Sequence, residues 1–384
     1  RPLLSVIISG DRHESGGYNV SKNFDFIIIG GGMAGASCAY FLSGKGSVLL
    51  LEMESQPGYH TTGRSAALFA PSYGNAQIRA LSIGGQPFFF EPPAGFCEAP
   101  LLTPRGALFI ARNEQMQTMN DVYDDVSSVL KTVQKLDVAQ VRELVPVIRE
   151  DYVAGGLLDI ESMDMDVNAI HQGFLRGSRA NGTEQVTSAK VESLNRENGD
   201  WQVTAGGETY KSKVVINAAG AWCDQVADLA GAKRVGLVPK RRTAIIFDGP
   251  TDISFSDWPA FVDVDEEFYS RPESAAMMVS PADETPMDPC DVQPEELDIA
   301  IAVDRLQQAT TLEIKRITRS WAGLRSFVAD KTPVVGFDPE AEGFFWLAGQ
   351  GGYGIQTAPG MGRTSAALAS GEEIPSDLVD LGAS

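Results

Sequence analysis

The sequence predicts an α/β protein in which a domain with a parallel sheet is interrupted by an α+β domain with a mixed or antiparallel sheet. Three observations predict this arrangement. Residues 24–54 read as a strand, a glycine turn, a helix and a second strand, and residues 344–370 repeat the first three of these elements. Between them, residues 237–335 are richer in Pro and in short strand-like stretches. A βαβ unit forces a parallel strand pair, whereas strand-rich segments with irregular connections favour a mixed sheet.

The opening unit carries the motif GxGxxG directly between an apolar strand and a helix. Gly30 permits a tight turn, Gly32 lets the backbone approach a pyrophosphate, and Gly35 allows the helix to pack closely on the sheet. Glu52 ends the second strand, where an acidic residue binds ribose hydroxyls. The unit therefore predicts a Rossmann-like dinucleotide site. By itself it leaves open whether the dinucleotide is NAD or FAD.

Helices are predicted next along the chain. Apolar residues recur at three- and four-residue steps from 116 to 136, which predicts one amphipathic helix over this range. Asp137 is a candidate N-cap for a short helix that stops at Pro146. Asp166 begins another helix, which ends at the Asn-Gly pair 181–182.

Strands and turns alternate in the second half of the chain. Alternating segments on both sides of Gly206 and Gly207 predict a hairpin, and VVINAAGAWCDQVADLAG predicts a buried strand, a glycine turn and a helix. TAIIF and AAMMV are further strand candidates. The two glycine-turn units at opposite ends of the chain predict a discontinuous nucleotide-binding domain. The predicted ranges are 24–85, 150–236 and 334–372 for that domain, 86–149 and 237–333 for a substrate domain, and 1–23 and 373–384 for tails.

Composition excludes several classes of protein. The chain has 384 residues, 43% of them hydrophobic, which is enough for a large core and roughly two domains. No apolar run is long enough to cross a bilayer. The net charge of −20 would repel nucleic acid and anionic membranes. We therefore expect a soluble, globular protein of the cytoplasm.

Cysteines and histidines are few and scattered. Four cysteines without a CxxC pair favour a reducing compartment and free thiols. The three histidines lie at no ligand spacing from a cysteine, so no metal site is expected. The residues concerned are Cys38, Cys97, Cys223, Cys290, His13, His60 and His171.

A set of longer motifs makes the comparison with known proteins specific. PGYHTTGRSAA, PPAGFCE, NAAGAWCD, PKRR, WAGLRSFVAD and GQGGYGIQT occur in this order. With them, the chain from Phe24 to about Gly371 resembles the superfamily of FAD-dependent D-amino acid oxidases and dehydrogenases, and within it bacterial D-arginine dehydrogenases.

The resemblance implies FAD as the cofactor. We expect it to be bound noncovalently, because the chain beyond Cys290 offers no Cys or His for attachment, while His60 and Tyr353 stay open. Amides of the GGYG loop are placed to stabilise negative charge on the flavin. The implied cofactor residues are Gly30, Gly32, Ala34, Gly35, Glu52, Arg64, Ser65, Ala66, Val191, Ala219, Gly220, Trp222, Gly323, Gly352, Tyr353, Gly354, Ile355 and Gln356.

The same resemblance implies a binding site for a substrate carboxylate. Arg325 and Arg242 would hold the carboxylate, and Tyr269 would add a phenolic hydroxyl. A guanidinium can bind both carboxylate oxygens at once and so fixes the angle at which the α-hydrogen faces the flavin. Tyr73 and Val262 would line the pocket beside the substrate side chain.

Two positions depart from the D-arginine dehydrogenase pattern. Leu68 stands where those enzymes have a histidine near the reacting amine, and Ala107 where they have a glutamate for the guanidinium. A buried guanidinium without a carboxylate partner is costly, so we expect weak activity on D-arginine and a preference for uncharged side chains.

The expected reaction is oxidative deamination of a D-amino acid, with oxygen or a quinone as electron acceptor. His60 lies in the cofactor segment, and His171 is expected to be a solvated or capping residue of a helix. Without a protein base, the amine would enter neutral and the product imine would hydrolyse to a keto acid and ammonia. Three alternatives stay open: a flavin enzyme for glycine, a secondary amine or a 2-hydroxy acid; an NAD-dependent dehydrogenase; and a noncatalytic FAD-binding subunit.

Overall fold

A computed structural model describes residues 22–383 of the chain. Most of the predicted N-terminal tail lies outside the described residues. The strands are β1 Lys22–Ile29, β2 Val48–Leu51, β3 Leu68–Phe69, β4 Leu102–Pro104, β5 Ala107–Ala111, β6 Gln134–Leu136, β7 Gly155–Asp159, β8 Met163–Met165, β9 Glu184–Val186, β10 Val191–Glu197, β11 Asp200–Ala205, β12 Glu208–Asn217, β13 Val238–Asp248, β14 Ala260–Asp263, β15 Tyr269–Glu273, β16 Ala276–Ser280, β17 Thr285–Pro286, β18 Ile317–Phe327, β19 Val334–Phe337 and β20 Phe344–Ala348. The helices are α1 Met33–Leu42, α2 Ala76–Phe90, α3 Met116–Val129, α4 Val138–Leu144, α5 Val167–Ala180, α6 Cys223–Ala230, α7 Glu296–Ala309, α8 Ala358–Ala369 and α9 Ser376–Asp380.

The first sheet has a parallel core. Its strands lie in the order β10-β11-β12-β1-β2-β9, and β20 pairs with both β12 and β19. Strand β1 runs parallel to β2 and β12, and β12 runs parallel to β20. Phe26 and Ile28 pack into the core on one face, whereas Ile27 and Ile29 pack into the core on the other. Because both faces are covered, the strand reads as a continuous apolar run.

The second sheet is mixed. It has nine strands, in the order β17-β13-β16-β15-β14-β5-β7-β6 with β18 beside β13. All its pairs are antiparallel except β5 with β14. A small third sheet, β3-β8-β4, completes the described part of the molecule. The predicted fold class, a Rossmann-like parallel sheet with an α+β domain on a mixed sheet, is confirmed.

Some predicted element boundaries differ from the structure. The helix predicted to reach residue 136 ends at Val129, and residues 134–136 form β6 instead. Val133 remains buried, so the apolar periodicity reports burial beyond the end of the helix. Pairing of β6 with β7 outweighs the local pattern. The predicted caps Asp137 and Asp166 are confirmed, since their carboxylates accept hydrogen bonds from the amides of Gln140 and Ala169 at 2.9 and 2.8 Å.

Two segments lie elsewhere than the predicted domain division suggests. Strand β7, within the range 150–236 assigned to the nucleotide-binding domain, belongs to the second sheet because it pairs with β5 and β6. The predicted tail 373–384 contains α9, whose Leu378 is fully buried. Leu378 packs over Gly84, where a β-carbon would lie only 2.1 Å from it. The domain division otherwise stays a prediction. In residues 22–383, no helix combines the length and apolar character needed to span a membrane.

Candidate active site

A cavity of about 640 Å³ lies between the two large sheets. On one side it is lined by the residues that follow the carboxyl ends of β1, β2, β12 and β20. On the other side it is lined by side chains of β13, β15 and β18. Parallel strands end at the same edge of a sheet, which is where open α/β sheets bind ligands.

The glycine turn after β1 forms one end of this cavity. Gly30 has a φ of +107°, and a β-carbon there would lie 2.4 Å from the carbonyl oxygen of Ala218. At Gly35 a β-carbon would lie 1.9 Å from the carbonyl oxygen of Gly30. Gly32 faces the cavity, as does Ala34. The turn thus needs glycine for its conformation and for close packing, and it leaves backbone amides beside the cavity, as a pyrophosphate requires.

Glu52 lies at the adjacent wall and is buried. Its Oε2 accepts a hydrogen bond from the Gly31 amide at 2.8 Å, and its Oε1 accepts one from the Glu54 amide at 2.9 Å. Each carboxylate oxygen keeps a second lone pair for a further donor. The carboxylate is therefore fixed by the backbone and still able to bind ribose hydroxyls. Val191 lines the same end.

The segment after β2 is fastened to the far wall of the cavity. Thr62 Oγ1 accepts a hydrogen bond from the Met33 amide at 3.0 Å, and Thr61 Oγ1 donates to the Leu324 carbonyl at 2.8 Å. Arg64 donates to the Val292 carbonyl at 2.9 Å and forms an ion pair with Asp291. These bonds hold the neighbouring residues Ser65 and Ala66 against the cavity. Sequence reasoning missed both threonines, although they lie inside the motif PGYHTTGRSAA.

The remaining predicted cofactor residues divide into two groups. Those that line the cavity are Ala219, Gly220, Trp222, Gly323, Gly352, Gly354 and Ile355. Tyr353 and Gln356 lie outside its lining. Tyr353 packs on Tyr73, with ring centroids 5.0 Å apart. Gln356 is buried, where it donates to Ser82 Oγ at 3.0 Å and accepts from the Ala70 amide at 3.2 Å. Its observed contacts join three segments of the protein.

Two arginines and a tyrosine from the second sheet form the other end of the cavity. Arg242 on β13 is 8% exposed, and it donates to the Asp283 carbonyl at 2.9 Å and to Glu284 Oε1 at 3.3 Å. Arg325 on β18 also lines the cavity. Among residues 22–383, no acceptor forms a hydrogen bond or an ion pair with its guanidinium. Three arginines line the cavity: Arg64, Arg242 and Arg325. Within the described residues, Arg64 and Arg242 have such partners and Arg325 has none.

Tyr269 lies beside these two guanidinium groups. Burial opposes ionisation of its phenol, but the positive charges of Arg325 and Arg242 outweigh that effect, so the pKa of Tyr269 lies below its ordinary value. Burial likewise opposes the charge on Arg325. The phenols of Tyr269 and Tyr73 and the carboxylate of Glu266 outweigh it, so the pKa of Arg325 lies above its ordinary value. This end of the cavity therefore brings two guanidinium groups together beside one phenol, a set of donors that suits an anion.

Tyr73 is close to this end, although it lies outside the cavity lining. Its hydroxyl is 3.5 Å from Glu266 Oε2, at the turn between β14 and β15. Burial raises the pKa of Tyr73, and the charge of Glu266 raises it further. The phenol is therefore a neutral hydrogen-bond donor over the whole physiological range.

The three predicted substrate-pocket residues also lie outside the cavity lining. Leu68 pairs with Asp164 across β3 and β8, Val262 pairs with Tyr269 across β14 and β15, and Ala107 is buried on β5. Their roles toward a substrate stay predictions.

Both described histidines lie at the cofactor end. His60 lines the cavity, with its Nε2 2.9 Å from Glu54 Oε1 and its ring 4.6 Å from that of Trp222. The expectation that His171 is solvated or caps a helix is wrong. It is buried, and its Nε2 lies 2.8 Å from the Gly31 carbonyl oxygen. The sequence carries no signal for this contact, because the partners are 140 residues apart.

Comparison with known proteins places this architecture in a family. The profile of the DAO family, described as FAD dependent oxidoreductase, matches residues 25–368. The chain is 22% identical over 408 aligned positions to the hydrogen cyanide synthase subunit HcnC of Pseudomonas aeruginosa, covering 94% of this chain and 95% of that one. It is 26% identical to mouse mitochondrial sarcosine dehydrogenase, covering 88% of this chain and 38% of that protein.

A solved structure shares the fold across nearly the whole chain. This is L-α-glycerophosphate oxidase from Mycoplasma pneumoniae, reduced with dithionite and with FAD bound. It superposes with a TM-score of 0.81 at 19% identity, covering 91% of this chain and 95% of that chain.

Proposed function

The chain belongs to the DAO family of FAD-dependent oxidoreductases, and from that premise we propose that it oxidises a small amino carboxylate, with a D-amino acid as the leading substrate. FAD is the cofactor and supplies the acceptor for the hydride that leaves the substrate Cα. The residues present fit it: the glycine turn offers amides to the pyrophosphate, Glu52 is fixed for a ribose, and backbone of Gly352 and Gly354 lines the cavity.

One observation carries the proposal, namely the unpaired guanidinium of Arg325 at the end of the cavity. Arg325 is partly buried at the cavity wall, and a cation drawn out of water is costly unless it is paired, so a guanidinium without a protein acceptor favours an anionic ligand here. A carboxylate matches a guanidinium with two parallel hydrogen bonds, and these fix its plane. Once both oxygens are held, the Cα of the substrate has a defined direction, which is how positioning contributes to the rate.

Arg242 and Tyr269 support the same orientation. Arg242 is held by the Asp283 carbonyl and by Glu284, so its guanidinium has a fixed place beside the cavity. The Tyr269 phenol, next to both arginines, is a donor for the same carboxylate. Three groups on three strands then surround one anionic group, and the rest of the substrate is left to face the cofactor end.

The proposed preference for an uncharged side chain rests on Ala107 standing where the D-arginine dehydrogenases that the chain resembles have a glutamate, although Ala107 itself is buried outside the cavity lining. The carboxylate opposite it across the strand pair, Asp159, is buried and already accepts hydrogen bonds from the hydroxyls of Ser72 and Ser162 at 2.6 and 3.0 Å. It therefore does not replace the glutamate that D-arginine dehydrogenases have at position 107. We expect D-amino acids with neutral side chains to be oxidised faster than D-arginine.

Deprotonation of the substrate amine is assigned to solvent before the reaction. His60 is the one histidine in the cavity lining among residues 22–383, and it is engaged with Glu54. A neutral amine can release the α-hydride as its lone pair forms the imine. The rate should accordingly rise with pH until the bound amine is neutral, and a flat profile would contradict this account.

The cofactor is proposed to be noncovalent, since within the described residues no cysteine belongs to the cavity lining, Tyr353 lies outside it, and His60, which does line it, is engaged with Glu54 at 2.9 Å. Acid precipitation should leave the yellow colour in the supernatant. Colour in the protein pellet would show a covalent link.

The compared proteins justify a second candidate within the family. Their names include a sarcosine dehydrogenase and an L-α-glycerophosphate oxidase, so amines and alcohols are both oxidised on this fold. The guanidinium of Arg325 would also hold glycine, an N-substituted glycine or a 2-hydroxy acid. A third candidate is a subunit that binds FAD without oxidising a substrate of its own; the name of HcnC shows that a similar protein is a subunit of a larger enzyme.

The deciding experiment is an anaerobic screen in which loss of flavin colour is followed with both enantiomers of the common amino acids, glycine, sarcosine and 2-hydroxy acids. We expect bleaching by neutral D-amino acids, with one ammonia released per flavin reduced after hydrolysis. Bleaching by sarcosine or a 2-hydroxy acid without ammonia would establish the second candidate. D-Arginine or D-lysine as the best substrate would overturn the side-chain preference, and no bleaching by any compound would favour the noncatalytic subunit.

A further inference from the structure

His171 lies on α5, outside the glycine-rich motifs, and touches the glycine turn. It is 4% exposed, and its Nε2 is 2.8 Å from the carbonyl oxygen of Gly31. A carbonyl oxygen only accepts, so Nε2 must carry the proton and donate. The proposed substrate and mechanism make no use of this buried donor.

Gly31 is held at both of its backbone polar groups. Its amide donates to Glu52 Oε2 at 2.8 Å, and its carbonyl accepts from His171. The peptide that joins Gly31 to Gly32 is planar and trans, so its carbonyl oxygen and its N–H point in opposite directions. A carbonyl turned toward α5 therefore turns the Gly32 N–H away from α5. Gly32 lines the cavity at the start of α1.

We propose that His171 is a positioning residue of the cofactor site, which fixes the Gly31–Gly32 peptide so that the Gly32 N–H is directed at the pyrophosphate of FAD. The proposal rests on the cofactor of the family and goes beyond the proposed substrate. A wrong substrate assignment would leave it intact.

The surroundings of the ring explain why a planar side chain occupies this place. Gly58 has a φ of +80°, and a β-carbon there would lie 2.7 Å from His171 Cε1. The loop that starts at Gly58 leads to Thr62, whose hydroxyl oxygen accepts a hydrogen bond from the Met33 amide. The ring thus lies between the glycine turn and the loop that covers it, in contact with both.

The lack of positively charged side chains in the glycine turn explains why the direction of the Gly32 N–H affects the affinity for a pyrophosphate. The stretch from Gly30 to Ala34 contains no Lys or Arg. Within this turn, the groups that can stabilise the two negative charges of a pyrophosphate are backbone N–H groups and the positive end of the helix dipole. A single misdirected amide removes a charge-assisted hydrogen bond, a loss on the order of tenfold or more in affinity.

The test uses full-length protein freed of flavin and titrated with FAD. His171→Leu removes the donor, and His171→Gln restores one at a comparable reach. We expect the leucine variant to bind FAD on the order of tenfold to a hundredfold more weakly, and the glutamine variant to recover most of the affinity. Ser178→Ala, a buried change on the same helix, is the matched control and should bind FAD as wild type.

A second readout separates positioning from a general loss of structure. ADP carries the pyrophosphate and adenosine does not, so His171→Leu should weaken binding of ADP to the apoprotein and leave binding of adenosine unchanged. His171→Met, which is flexible and of similar volume, gives the same comparison if leucine packs badly. Equal weakening of ADP and adenosine, or wild-type affinity for FAD in both apolar variants, would overturn the proposal.

Discussion

The two ends of the cavity offer different groups to an anion. At the cofactor end, the turn from Gly30 to Ala34 presents backbone amides, and the buried side chains of Glu52 and His171 hydrogen-bond to Gly31 within this turn. At the proposed substrate end, the groups that face the cavity are the side chains of Arg325, Arg242 and Tyr269. Amides fixed during folding cost no entropy when a ligand binds, which suits a cofactor that stays. Guanidinium groups add charge and a defined plane, which suits a carboxylate that must enter, be oriented and leave.

The largest effect is expected from a change to the backbone at the cofactor end. Gly30→Ala introduces a β-carbon 2.4 Å from the Ala218 carbonyl oxygen at a φ of +107°. The strained backbone costs about 1–3 kcal/mol and the overpacking a similar amount. We expect loss of flavin and a lowered Tm, measured by flavin content and thermal melting. Gly44→Ala is the control, because a β-carbon there meets no atom within 4 Å. Full flavin content in the Gly30 variant would contradict the account.

A change to a side-chain charge should affect the substrate end alone. Arg325→Met should lower kcat/KM by an amount equivalent to about 2–5 kcal/mol, the scale for removing one partner of a desolvated charge pair. The flavin content should stay at the wild-type level, which separates a role toward substrate from support of the Gly352 loop, against which the guanidinium lies. Arg316→Met, an exposed change just before the same strand, should leave the kinetics as they are. Unchanged kinetics in the Arg325 variant would refute the role of the guanidinium.

Removing the charge of Glu284, which accepts a hydrogen bond from Arg242, should have a smaller effect on the kinetics than the Arg325 substitution. Glu284 accepts from Lys240 at 2.8 Å and from Arg242 at 3.3 Å. Because the carboxylate is partly exposed, Glu284→Gln should cost about 1 kcal/mol of substrate binding. We expect a higher KM for the substrate with kcat less affected, measured by steady-state kinetics. Glu313→Gln, on the surface, is the control. A fall in kcat with KM unchanged would argue that Glu284 acts in some other way.

The smallest expected effect is the contribution of His171 to the pH dependence of the free energy of unfolding. Burial lowers the pKa of His171, and the hydrogen bond with Gly31 reverses part of that shift. As pH falls below the ordinary value of about 6.5, the unfolded chain takes up a proton and the native protein does not. The free energy of unfolding should therefore fall with pH, by at most about 1.4 kcal/mol per unit, until the lowered pKa is reached. Denaturant titrations between pH 7.5 and 5 should show a weaker dependence in His171→Gln. Identical dependence in both proteins would exclude a contribution from His171.

Local patterns were sufficient for much of the fold. The motif GxGxxG between strand and helix, the hairpin at Gly206 and the caps Asp137 and Asp166 each depend on residues near one another in the chain, and all are found in the structure. The prediction that the helix continues beyond Val129 was wrong. Val133 is buried although it lies outside the helix, so its apolar character fits the helical spacing without showing a helix. Periodicity reports which residues are buried, and pairing between distant strands decides the element.

By itself, the sequence determined the fold class, the dinucleotide turn and the identity of the residues that carry charge, because glycine conformation, strand patterning and side-chain chemistry are local properties. Only the tertiary structure decided which of these groups meet. It left Arg325 without a protein acceptor while giving Arg242 a carboxylate, it moved Tyr353 and Gln356 out of the cavity lining, and it placed His171 on Gly31. These contacts join strands and helices far apart in the chain, and their geometry follows from how the two sheets pack, which no short segment of sequence encodes.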